Sequence, residues 1–137
     1  MKAGIIGIIG LFVGILAACQ SQDELEYKRY YTTGKVIYQS KCQNCHGDNG
    51  EGLSALIPPL TDSAYLEANR HQLPCIIKYG LNKPIKVGGK AFYGQMPATD
   101  LAPVELAEVI TYITNSFGNK IGVTTTLMAE DDLKGCK

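Results

Sequence analysis

The clearest helical period in the chain lies near its end. In "PVELAEVITYITNSFGN", Leu106, Ile110, Ile113 and Phe117 fall at 0, +4, +7 and +11, one stripe on a helix. Pro103 suits the first helical position and Glu105 the first turn, while Gly118 can end the helix. Ala102, at the cap position, brings no side-chain oxygen, a deficit of about 1 kcal/mol. An earlier helix is predicted over 29–43, where Gly34 and Tyr38 lie four apart on one face. Between these, "TDSAYLEANRHQLPCIIKYG" predicts two short helices near 62–69 and 71–79, with Pro74 interrupting or starting the second. "IKVGGKAFY" alternates around Gly-Gly, which predicts a small hairpin. "MAEDDLKG" predicts one more short helix near the C-terminus.

The first residues follow a different pattern. "MKAGIIGIIGLFVGILAAC" has one charge, Lys2, then an apolar run from Ala3 to Ala18 at the edge of what spans a bilayer. A basic start, an apolar stretch and small residues before Cys19 describe a secretory leader over 1–18. The ending "LAAC" resembles the lipobox of bacterial lipoproteins, and that resemblance implies a mature chain beginning at lipidated Cys19. The competing reading is an uncleaved transmembrane anchor; both readings put the remainder outside the cytoplasm. Residues 19–29 are polar without an apolar period, so a flexible tether is expected there, with the compact domain over 30–137.

Composition narrows the function classes. The 137 residues are 45% hydrophobic and 19% charged, as for one globular domain. Removing 1–18 takes away Lys2 and no acid, leaving 12 basic against 13 acidic residues, a net charge near −1. With no basic patch, nucleic-acid binding has no electrostatic support. Lys83, Lys86 and Lys90 lie around the predicted hairpin, where lysines keep an edge soluble or dock an acidic partner.

The chemistry concentrates in "KCQNCHGDNG", which holds Cys42, Cys45 and His46 within five positions. A structural zinc site needs a second Cys/His pair at similar spacing, and His71, Cys75 and Cys136 do not form one. A redox dithiol belongs in a βαβ pattern, which is absent. C-x-x-C-H is the attachment signature of covalent haem: two thiols on a tight turn reach two vinyl groups, and the next imidazole faces the iron.

Two segments together carry a family resemblance. "GKVIYQSKCQNCHGDNGEG" and "GQMPATDLAPVELAEVITYITNSFGN" resemble the two ends of class I cytochrome c in its small bacterial form, covering about Gly34 to Asn119. The resemblance implies an all-α fold of three to five helices around one covalent haem c, with the small β-hairpin before a Met loop. It implies Met96 as the second iron ligand, 50 residues after His46, ahead of His71 and Met128. It implies that the carbonyl of Pro58, or else Pro59, orients His46, and that Gly34 lets the last helix approach the first. Residues from about 120 extend past the family pattern.

Cys75 and Cys136 remain once Cys19, Cys42 and Cys45 have roles, and an exported chain is expected to pair them as a disulfide. With both iron faces filled and no Ser/His/Asp set or carboxylate pair, the expected function is not enzymatic. It is electron transfer in the cell envelope, tethered to a membrane surface, with other redox proteins as partners and no small-molecule substrate. The alternatives are a haem c subunit of a membrane-associated oxidase or dehydrogenase complex, and a gas or redox sensor with a labile Met96.

Overall fold

The computed structural model describes residues 22–136. The elements run α1 (Gln22–Lys41), α2 (Gln43–His46), α3 (Ser63–Ala68), a 3-10 turn (Arg70–Gln72), α4 (Leu73–Tyr79), β1 (Ile85–Val87), β2 (Lys90–Phe92), α5 (Pro103–Ile113) and α6 (Thr126–Lys134). The leader expected over 1–18 and Cys19 lie outside the described residues. No helix among the described residues is long and apolar enough to cross a membrane.

Helix α1 begins at Gln22, seven residues before the expected start, and this corrects the expectation of a flexible tether over 19–29 from residue 22 onward. Its first turn carries Asp23 and Glu24, which complement the helix dipole. Glu24 and Lys28 pair at 2.7 Å one turn apart, and Tyr27 stacks on Tyr31 with ring centres 5.7 Å apart. The polar stretch thus supports itself locally and is anchored where Tyr30 enters the core.

Helices α1 and α5 cross at Gly34. A Cβ there would lie 2.0 Å from the Glu108 carbonyl oxygen and 2.9 Å from the Tyr112 Cβ, so the two backbones meet where one side chain is missing. Every residue from Leu106 to Ile113 is buried, not one stripe alone, because α1, α4 and α6 each cover part of the helix. At its start, the Ala102 N–H donates to the Glu105 carboxylate at 2.7 Å. Ala102 has no oxygen to return the bond, so half of a capping box is present.

The helix ends at Ile113, four residues short of the periodic stripe. The Asn115 amide donates to the carbonyls of Thr111 at 2.8 Å and Gly122 at 2.9 Å, and its oxygen accepts from the Gly122 N–H at 3.0 Å. These side-chain bonds replace further helical turns. Phe117 sits in the left-handed region at φ 57° and folds back onto Tyr38 and Tyr112. It still joins the core, from a turn instead of a helix face.

The hairpin pairs Ile85 with Phe92 and Val87 with Lys90 across Gly88 and Gly89, both at positive φ, the backbone a tight two-residue turn demands. The C-terminal segment packs back on the core. Ala129 of α6 is fully buried against Tyr30 and Ala107, and the Tyr30 and Thr126 hydroxyls bond at 2.8 Å. A disulfide joins Cys75 of α4 to Cys136. The fold is therefore mostly helical with one small hairpin.

Candidate functional site

The site begins where α1 ends. The Cys42 N–H still bonds the Tyr38 carbonyl at 2.9 Å, and one further turn brings the N–H groups of Cys45 and His46 onto the Cys42 carbonyl at 3.1 and 2.9 Å. This single turn presents Cys42, Cys45 and His46 to one cleft. Both thiols are free, Cys42 half-buried and Cys45 exposed. Burial, then the neighbouring Cys45, pushes the Cys42 thiol up to about 11. Gly47 leaves the turn at φ 84°, and the Tyr38 hydroxyl donates to its carbonyl at 2.6 Å.

His46 is 9% exposed, and its Nδ1 lies 3.2 Å from the Pro58 carbonyl oxygen. That carbonyl can only accept, so Nδ1 carries the proton and Nε2 keeps its lone pair. Burial lowers the pKa of the imidazole, against the smaller opposing effect of the Pro58 bond, so the ring stays neutral. Gly52 makes this approach possible: a Cβ there would lie 2.3 Å from the Ile57 carbonyl oxygen and 2.8 Å from that of Pro58.

Met96 reaches the same cleft from the segment after the hairpin. Its N–H and carbonyl bond the carbonyl and N–H of Leu81, each at 2.8 Å. The Thr99 hydroxyl donates to the Ile77 carbonyl at 2.9 Å, and the Lys78 ammonium donates to the Leu101 carbonyl at 2.7 Å. The Met segment is thus stitched to the end of α4. Apolar side chains complete the cleft, including Leu66, Leu73, Ile77, Val109 and Ile113.

A family model described as Cytochrome c matches residues 31–116. The chain belongs to the cytochrome c family. It is 32% identical over 91 residues to cytochrome c-552 of Thermus thermophilus, covering 63% of this chain and 69% of the relative. A second cytochrome c-552, from a named strain of the same species, gives the same identity over the same length, with 61% of the relative covered. Membership of the cytochromes c makes this a haem-binding electron carrier with one covalent c-type haem and its iron. The cleft fits that group. Its walls are apolar, two free thiols stand at one end of it, and a neutral imidazole with Nδ1 already engaged lines it.

His71 and Met128 are not at the cleft of this cytochrome. His71 is exposed, with Nδ1 bonded to Asp132 at 2.9 Å, and Met128 belongs to α6. Pro59 lines the cleft, but the bond to His46 comes from Pro58. Sequence reasoning missed Asn119, which is 2% exposed. Its amide donates to the carbonyls of Leu60 at 2.7 Å and Ile113 at 2.9 Å, and its oxygen accepts from the Ser63 hydroxyl at 2.6 Å. It ties the segment that follows Pro58 to the end of α5. A lone Asn after Gly118 carries no motif that would have announced this.

Proposed function

We propose that the protein relays single electrons through a haem that Cys42 and Cys45 would attach and whose iron His46 and Met96 would hold, while lipid on Cys19 tethers it to a membrane surface of the cell envelope. The reading rests above all on the His46–Pro58 bond: it leaves Nε2 as the free donor of a buried, neutral ring in a cleft that Met96 also lines. Bound there, haem supplies an iron that stores and releases one electron. The residues do the rest. Pro58 fixes the imidazole and raises its donor strength. The Met96 thioether favours the ferrous state and raises the potential relative to a second histidine. The apolar walls keep water from the metal and strengthen the electrostatic control of that potential. His46 and Met96 would together hold the iron, which suits the haem to electron relay.

The lipid tether is supported by the "LAAC" pattern and holds the carrier near envelope redox partners, at a raised local concentration. The ligand assignment is tested by a reduced-minus-oxidised spectrum of the haem-loaded protein, with a scan for the near-infrared sulfur-to-iron band. Loss of that band and gain of carbon monoxide binding in Met96→Ala are the expected results. A band that persists in Met96→Ala refutes the ligand. Cys19→Ser should move the protein from the detergent phase to the aqueous phase; unchanged partitioning refutes the tether.

A further inference from the structure

The Met96 segment hangs on the end of one short helix. The Ile77 carbonyl accepts from the Thr99 hydroxyl at 2.9 Å, and the Lys78 carbonyl accepts from the Thr99 N–H at 3.2 Å. The Lys78 ammonium holds the Leu101 carbonyl, and Leu81 exchanges both backbone bonds with Met96. At Gly80 a Cβ would lie 2.4 Å from the Met96 carbonyl oxygen, so the two backbones also touch. The position of residues 77–81 therefore decides the position of Met96.

Helix α4 cannot fix its own place. It has seven residues, and Gln72 gives it no side-chain cap. Helices this short depend on tertiary support. Leu73, Ile76 and Ile77 line the cleft, and support away from it comes from the C-terminal segment. The Arg70 guanidinium donates to the Val123 carbonyl, and His71 Nδ1 lies 2.9 Å from the Asp132 carboxylate. Both of these polar links start from the 3-10 turn before α4. Cys75, four residues after His71, is bonded to Cys136, four residues after Asp132. That covalent link starts within α4 itself, two residues ahead of Ile77. Its far end is firm, because Ala129 of α6 is fully buried against Tyr30 and Ala107.

We propose that Cys75–Cys136 is a positioning bond for Met96: by fixing α4 to the end of α6 it holds the Met96 segment at the cleft, and opening it weakens Met96 as an iron ligand. This rests on the reading of Met96 as the second ligand. A disulfide that acts only by closing a loop restricts the unfolded chain and leaves the folded protein as it was. A positioning bond changes the folded protein itself, well below its unfolding temperature.

The test compares the haem-loaded parent with the Cys75→Ser/Cys136→Ser double variant, both far below their thermal midpoints. Three readouts are taken: the near-infrared sulfur-to-iron band of the ferric form, carbon monoxide binding to the ferrous form, and amide hydrogen exchange. In the double variant the band should weaken and carbon monoxide should bind about tenfold faster or more, as when a group behind a metal ligand is lost. The Leu81 and Met96 N–H groups should exchange faster by a similar factor, while those of His46 and Gly52 stay unchanged. The parent treated with dithiothreitol in the cold should match the double variant in carbon monoxide binding and exchange. Tyr30→Phe removes the hydroxyl bond to Thr126 at the other end of α6 and should leave all three readouts as in the parent. A folded double variant with unchanged band, binding and exchange overturns the inference. Equal changes in Tyr30→Phe overturn it, because they assign the effect to stability alone. Loss of helical circular dichroism in both the double variant and the dithiothreitol-treated parent also overturns it, since the bond then holds the whole fold. A parent that lacks the sulfur-to-iron band overturns the Met96 assignment, and this inference with it.

Discussion

Gly34→Ala sets two effects of opposite sign against each other. Alanine in a helix interior is favoured over glycine by about 1 kcal/mol. The new methyl carbon, however, would stand 2.0 Å from the Glu108 carbonyl oxygen and 2.6 Å from its carbon. Ordinary contact begins more than an ångström further out, and the opposing atoms are helix backbone, which does not rotate aside. Either α1 or α5 has to move. That movement loosens the Tyr38–Tyr112 packing, and α5 also supplies Val109 and Ile113 to the cleft. Overpacking of this kind costs about 1–3 kcal/mol and occasionally more. A backbone clash belongs at the top of that range, so a net loss of about 2 kcal/mol remains after the propensity gain. The thermal midpoint of the haem-loaded protein, followed by circular dichroism, should fall by roughly 8 °C. Thr33→Ala, at the exposed neighbouring position, should leave the midpoint unchanged or raise it slightly. A Gly34→Ala protein as stable as the parent, with an unaltered haem spectrum, would refute the tight crossing.

Asn119→Ala leaves the Leu60 and Ile113 carbonyls and the Ser63 hydroxyl without their partner. A loss of about 3 kcal/mol is expected in urea unfolding, and a midpoint within error of the parent contradicts it. Replacing Cys75 and Cys136 together by Ser opens a 61-residue loop and is expected to cost up to about 4 kcal/mol. Reduction by dithiothreitol should destabilise the parent and leave the double variant unmoved. Burial, helped by Glu105 and opposed by Arg29, raises the pKa of Glu108 above its ordinary 4.5. A carboxyl with a raised folded value contributes stability below that ordinary value and loses it as pH rises through the folded one. Glu108→Gln should therefore raise the thermal midpoint at pH 7 and confer no advantage near pH 4; an equal gain at both would contradict the assignment.

Local chemistry is the most legible part of the chain. Cys42, Cys45 and His46 sit within one turn, so their convergence needs no knowledge of the rest of the fold. The hairpin is legible because alternation and Gly-Gly act within nine residues. Met96 becomes a candidate only through resemblance, since its approach to the cleft depends on backbone bonds to Leu81 and on the stitching to α4. Two helix ends depart from the sequence pattern for physical reasons. At Gln22 a polar stretch gains helicity from one ion pair and a tyrosine stack, neither of which appears in apolar periodicity. At Ile113 the stripe continues to Phe117, but the Asn115 side chain captures the backbone groups first. Asn119 is invisible in the sequence because its partners lie up to 59 positions away.

The cysteines place a constraint on biogenesis. Among the described residues Cys75 and Cys136 are bonded to each other, while Cys42 and Cys45 are the pair that haem attachment needs as thiols. Four thiols allow three ways of forming two bridges, and each of the three consumes the haem-binding pair. Cys42 and Cys45 must therefore be thiols when the vinyl groups arrive, whether Cys75 and Cys136 bond before or after that. Whatever machinery loads this protein has to tell the two pairs apart, and the distance along the chain from Cys45 to Cys75 gives it thirty residues in which to do so.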